Sequence, residues 1–177
     1  MTPTHAAFLR GVNLGRNRRV SSAELVSIFE GMGFDDVATF RTSGNVVLGG
    51  KPKKAQVEKG LQEALGYDVE VFLRSAQELE AIAGHAPFER AALEASNGKL
   101  QVMLLTGPQP ASVQKQALAL VPEGDHMAFL GNELYWLPKG GLADSDFDLN
   151  ALAKLIGSTT TRTKGTIELL AAKFFAG

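Results

Sequence analysis

VATFRTSGNVVL, residues Val37–Leu48, decides how the chain is read. Val37 to Phe40 reads as a strand, Thr42-Ser43-Gly44-Asn45 as a tight turn and Val46 to Leu48 as the returning strand, so the stretch predicts a hairpin. Helical patterns flank it. Upstream, Ser21 and Glu24 match the S-x-x-E capping box, Leu25, Ile28, Phe29 and Met32 form an apolar stripe, and Gly33 stops the helix. Downstream, Val57, Leu61, Ala64 and Leu65 share one face of a helix over residues 55–65 that Gly66 ends. Short apolar runs at Ala6–Leu9 and Val69–Leu73 complete the order β-α-β-β-α-β, the split βαβ unit of ferredoxin-like folds.

Ser75 and Glu78 form a second capping box, opening a helix that runs to about Ala83. Glu89–Ala95 predicts a short helix, Leu100–Leu105 a strand and Ala111–Leu120 a helix. Met127–Leu130 and Leu134–Leu137 pair around Gly131-Asn132, Phe147–Ile156 is helical, and a last helix covers Thr166–Phe175 where a fourth strand could stand. The expected fold is therefore α+β: two similar βαββα(β) ferredoxin-like subdomains with antiparallel sheets and helices on one face. Residues 1–88 would carry the first βαββαβ unit and its following helix, and residues 89–177 the βαββα unit with an extra terminal helix. No long polar linker separates the halves, so they are expected to be intertwined and closely packed.

Composition narrows the class. Apolar residues are 45% and charged residues 21% of 177, the balance of a soluble globular protein that buries roughly 70% of its unfolded surface. No run approaches a membrane span, the first residues lack the apolar core of a secretion signal, and cysteine is absent, so a cytoplasmic setting is expected. The net charge of −1 argues against nucleic-acid binding over a broad face. Charge is nonetheless clustered: Arg10, Arg16, Arg18 and Arg19 lie together, as do Lys51, Lys53 and Lys54. Such clusters either keep a loop solvated or steer an anion.

Topology brings polar residues together. With the usual strand order 4-1-3-2, the loop after the first strand and the hairpin turn lie at one edge, which unites Arg10, Asn13, Arg41, Ser43 and Asn45. Arginine forks with neutral Asn and Ser donors make an anion receptor for a phosphate- or carboxylate-bearing ligand. The competing account is structural: an Arg at a strand end pairs with a surface acid, and an Asn at a turn bonds its own backbone.

LRGVNLG (Leu9–Gly15), MGFDDVATFRTSGNVVL (Met32–Leu48) and VFLRS (Val71–Ser75) together resemble the DUF1697 family. Pro87-Phe88, Tyr135-Trp136 and TTTRTKGTIELL (Thr159–Leu170) resemble its later landmarks, and Arg162 in the last of these joins the candidate binding residues. The resemblance implies two intertwined ferredoxin-like subdomains and implies no activity, cofactor or partner. Arg16, Thr163 and Lys164 depart from the family pattern, although Thr163 can still cap a helix.

Several chemistries are missing. The glycines fit neither G-x-x-x-x-G-K-[ST] nor G-x-G-x-x-G, and no G-x-S-x-G elbow occurs, so Ser43 reads as a turn serine. His5, His85 and His126 stand alone, and Asp144, Asp146 and Asp148 fail as a calcium loop because Leu149 and Leu155 occupy its Gly and Glu positions. Those acids suit a helix N-terminus instead. The third strand, NVVL, lacks the aromatics of RNA-stacking sheets, while Tyr135 and Trp136 are expected to be one core and one partly exposed. No cofactor is indicated, no general base has a partner, and enzyme status and oligomeric state stay open. The alternative to a small-ligand site is a non-catalytic nucleic-acid- or protein-interaction module that uses the arginine loop.

Overall fold

The computed structural model of the chain describes residues 2–12, 19–41 and 44–176. Packing divides the chain into two units, Met1–Ala83 with Glu168–Gly177, and Gly84–Ile167. The boundary expected from sequence lies at 88/89, with the terminal helix in the second half. Its last ten residues instead belong with the first unit, where the Phe174 ring meets the Phe40 ring edge-on at 6.2 Å.

The first unit runs β1 (His5–Arg10), α1 (Ser22–Gly31), β2 (Ala38–Thr39), β3 (Asn45–Leu48), α2 (Lys54–Leu65), β4 (Glu70–Ser75) and α3 (Ala76–Gly84). Its sheet is antiparallel with order β2-β3-β1-β4, as the split βαβ pattern predicts. Alternation along the strands sends Ala7 and Leu9 of β1, Val46 and Leu48 of β3 and Val71 of β4 into one core. Leu25 and Phe29 of α1 and Val57 and Leu61 of α2, spaced four apart, supply the helical side of that core. Gly66 closes α2 in the left-handed region at φ 81°, and its N–H bonds the Gln62 carbonyl.

The second unit repeats the order. After α4 (Arg90–Ala95) come β5 (Gln101–Leu104), α5 (Ala111–Leu118), β6 (His126–Leu130), β7 (Glu133–Leu137), α6 (Leu149–Ile156) and β8 (Thr160–Thr163), followed by α7 (Lys164–Phe174), whose residues from Glu168 onward belong to the first unit. Its sheet order is β6-β7-β5-β8, the same permutation. Met103, Leu134 and Trp136 on the strands pack with Ala117 of α5 and with Leu152 and Ile156 of α6.

Four local expectations change. The fourth strand exists: β8 pairs antiparallel with β5, Val102 opposite Arg162 and Met103 opposite Thr161. TTRT has β-branched residues but no apolar alternation, so its strand state comes from a partner far away in sequence. Helix α7 starts two residues earlier than periodicity predicts, because Thr163 Oγ1 accepts from the Thr166 N–H at 3.2 Å and caps it. Helix α6 starts two residues later than predicted, because Asp148 is its cap, accepting from the Ala151 N–H at 2.9 Å. Tyr135 and Trp136 are both buried, rather than one partly exposed. The Trp136 indole N–H donates to Asp125 Oδ2 at 2.9 Å and the ring meets Phe147 edge-on, while Tyr135 meets the His85 ring edge-on at 5.0 Å. Each indole or phenol thus has a core side and a partner for its ring.

Candidate functional site

Pairing between β1 and β3 positions the hairpin. Phe8 lies opposite Asn45, and the Leu9 N–H donates to the Gly44 carbonyl at 2.8 Å, carrying the ladder into the turn. A Cβ at Gly44 would fall 2.7 Å from Val12 Cγ2, and its φ of 73° also suits glycine alone. The neck of the hairpin is closed twice: the Phe40 N–H donates to the Asn45 carbonyl at 3.0 Å, and Asn45 Nδ2 donates to the Phe40 carbonyl at 3.0 Å. Asn45 is almost wholly buried, so its amide holds the neck together, as the structural account of a turn asparagine expects. Arg41 follows with φ 59°, a left-handed backbone that is unusual for a side chain of this size. Its guanidinium sits 5.4 Å from the Phe40 ring centroid, and Lys173 Nζ lies 5.9 Å from the same ring.

Helix α1 begins beside this turn. Ser21 Oγ accepts from the Glu24 N–H at 3.1 Å and donates to Glu24 Oε1 at 3.2 Å. Between the helix start and the hairpin lies a cavity of about 580 Å³. Arg19 and Arg41 line it with the hydroxyl residues Ser21, Ser22 and Thr39 and with Glu24; Val20 and Leu25 add buried apolar surface. Among the described residues neither Arg19 nor Arg41 forms an ion pair. Two unpaired guanidiniums beside the free N–H groups of a helix start make a region of positive potential.

The sequence-predicted residues separate here. Arg41 and Asn45 line the cavity. Arg10 is not among its lining residues: it lies opposite Glu70 in the β1–β4 ladder and pairs with that carboxylate at 3.9 Å, while Lys54 takes the other oxygen at 3.5 Å. Exposed pairs of this kind contribute about 0–1 kcal/mol. Asn13 and Ser43 lie outside the described residues and remain candidates on sequence grounds.

Arg162 belongs to the second unit. It is buried on β8, with Nη1 donating to Thr160 Oγ1 at 2.8 Å and to the Thr161 carbonyl at 2.9 Å. Burial lowers its pKa to about 10. Arg74, which the sequence reading passed over, is its counterpart on β4. It is likewise buried, and its Nη1 donates to the carbonyl of the preceding residue, Leu73, at 2.9 Å. Ser75 and Thr163 follow these arginines and cap α3 and α7. The shared R-[ST]-x-x-[ET] pattern at Arg74–Glu78 and Arg162–Thr166 was the available signal. Arg19 and Glu24 were also missed as lining residues. The sequence marks Arg19 only as part of a charge cluster and Glu24 only as part of a cap.

Among the described residues no helix is long and apolar enough to cross a membrane, and no three His, Cys, Asp or Glu side chains converge as metal ligands would. The chain is similar over 98% of its length to the conserved bacterial protein SP0830 from Streptococcus pneumoniae, covering 99% of that chain with a TM-score of 0.70 and 19% identity, a likeness of fold. No curated protein matches the sequence. A family model described as "Protein of unknown function (DUF1697)" matches residues 1–135. With that span covering most of its length, on a fold of two like antiparallel sheets, the chain belongs to the DUF1697 family.

Proposed function

We propose that the chain binds a small anionic ligand, phosphate- or carboxylate-bearing, in the cavity between the first hairpin and the start of α1. The observation that carries this reading is the pair of guanidiniums, Arg19 and Arg41, that line one cavity and, among the described residues, form no ion pair, with Glu24 of the same lining included. Arg10, in contrast, lies outside this lining and 3.9 Å from the Glu70 carboxylate. A cavity of about 580 Å³ falls within the range of small-molecule sites. The reading is one of binding, in a cytoplasmic setting, and assigns no group to catalysis.

A thermal-shift panel of nucleotides, sugar phosphates and carboxylates tests it. A ligand at a hundred times its dissociation constant stabilises the fold by about 2.7 kcal/mol, a readily measured rise in Tm. Arg41→Ala and Arg19→Ala should each remove that rise, while Arg10→Ala should retain it. A panel without a hit, or a hit that survives both cavity substitutions, refutes the site.

A further inference from the structure

The same capping motif occurs twice in the first unit, and the two copies differ. At α3 the box is closed in both directions: the Glu78 N–H donates to Ser75 Oγ at 3.2 Å and the Ser75 N–H donates to Glu78 Oε2 at 2.8 Å. At α1 the return bond is absent. Glu24 Oε1 takes the Ser21 hydroxyl at 3.2 Å instead of the backbone N–H, and among the described residues that hydroxyl is its partner. The Glu24 carboxylate therefore lines the cavity with most of its acceptor capacity unused. It also stands apart from Arg19 and Arg41, since none of the three forms an ion pair among the described residues.

A carboxylate in an anion site weakens the binding of a bare anion by like-charge repulsion. Its presence is favourable only for a ligand that carries hydrogen-bond donors alongside its negative group. Resting on the anion-site reading, we propose that the ligand is a phosphate monoester of a polyhydroxylated molecule, with the phosphate held by Arg19 and Arg41 and its hydroxyls donating to Glu24. The volume of about 580 Å³ exceeds what a lone phosphate needs, and the hydroxyls of Ser21, Ser22 and Thr39 suit a polyol. A ligand with an ammonium group in place of hydroxyls would use Glu24 differently, as a charge partner, and is separated by the test.

Isothermal titration of the full chain compares ribose 5-phosphate, inorganic phosphate and phosphoethanolamine on the wild type, Glu24→Gln and Arg41→Ala. Gln can still serve in an S-x-x-Q box, so Glu24→Gln spares the helix start. In the wild type, ribose 5-phosphate should bind about tenfold more tightly than inorganic phosphate, the increment of a hydrogen bond to a charged acceptor. Glu24→Gln should weaken ribose 5-phosphate about fivefold and tighten inorganic phosphate by relieving repulsion; Arg41→Ala should weaken both by about tenfold or more. Equal affinity for the two phosphates, parallel weakening of both by Glu24→Gln, or a preference for phosphoethanolamine overturns the polyol ligand and leaves the anion site standing. Absence of binding by all three compounds overturns the polyol phosphate, while the anion site stands or falls on the wider thermal-shift panel of nucleotides, sugar phosphates and carboxylates.

Discussion

The two units share one frame and differ in what they build on it. In the first, Leu9 donates to the Gly44 carbonyl; in the second, Leu105 donates to the Asn132 carbonyl at 2.9 Å, the same bond at the same place in the ladder. Beyond that point they diverge. The first hairpin spans residues 41–44 between its closing pair Phe40 and Asn45, whereas the second closes Leu130 on Glu133 around Gly131-Asn132 alone. Eleven residues join β1 to α1 (11–21), but six join β5 to α5 (105–110), where Pro110 caps without a side-chain bond. Where Phe8 faces Asn45, Leu104 faces Glu133, so the corresponding position carries an acid. The frame is set by strand pairing, and the cavity arises where the connections are longer. Binding features reside in connections held by a rigid scaffold, and this chain shows one scaffold with and without that elaboration.

The comparison can be broken most directly at its arginines. Arg74 and Arg162 occupy corresponding positions and make the same bond to the preceding carbonyl. Arg74→Lys and Arg162→Lys should therefore destabilise the chain to a similar extent, about 2 kcal/mol each in urea denaturation, because an ammonium cannot reproduce the planar fork. A large loss from one substitution and none from the other would mean that the correspondence is geometric only.

The capping boxes sharpen it at smaller scale. Glu78→Ala removes a return bond that exists, and should cost about 1 kcal/mol. Glu24→Ala removes a bond to a hydroxyl that water can replace, and should cost a few tenths. Equal losses in chemical denaturation would contradict an open box at α1.

The smallest effect concerns pH. His5 begins β1 where Gln101 begins β5, and burial, partly opposed by Glu78, lowers the His5 pKa from 6.5. A lowered histidine pKa means that the unfolded chain takes up the proton first as pH falls. The stabilising contribution is complete above about 6.5 and is lost as pH falls through the lower, folded value. His5→Gln makes the first unit like the second, and stability measured from pH 7.5 to 5.5 should then fall less than in the wild type, by roughly the single-histidine contribution to the slope. Parallel pH profiles would remove His5 from the account.

Some residues announce their roles locally and others do not. Ser21, Ser75 and Thr163 were readable as caps because a cap is a contact three residues away. Val57 and Leu61 were readable as core because helical period places them on one face. For Arg10, pairing with a surface acid was one of two expectations, but the partner was not readable. Its tie to Glu70 exists because β1 and β4 pair in one register, and a shift of one residue would send the two side chains to opposite faces. Arg19 and Glu24 became cavity residues only once α1 was set beside the hairpin.

From sequence alone came the element order of the first unit, the strand order 4-1-3-2 of its sheet, the serine caps of α1 and α3 and the choice of the first hairpin as the place to look. Tertiary structure alone decided that TTRT is a strand, that Arg74 and Arg162 are buried, that Arg10 is paired, and that Arg19, Glu24 and Arg41 share a cavity. The division follows the range of the interactions. Periodicity and caps act over three or four residues and leave their mark on local sequence, whereas strand pairing, desolvation and the meeting of charges join segments tens of residues apart.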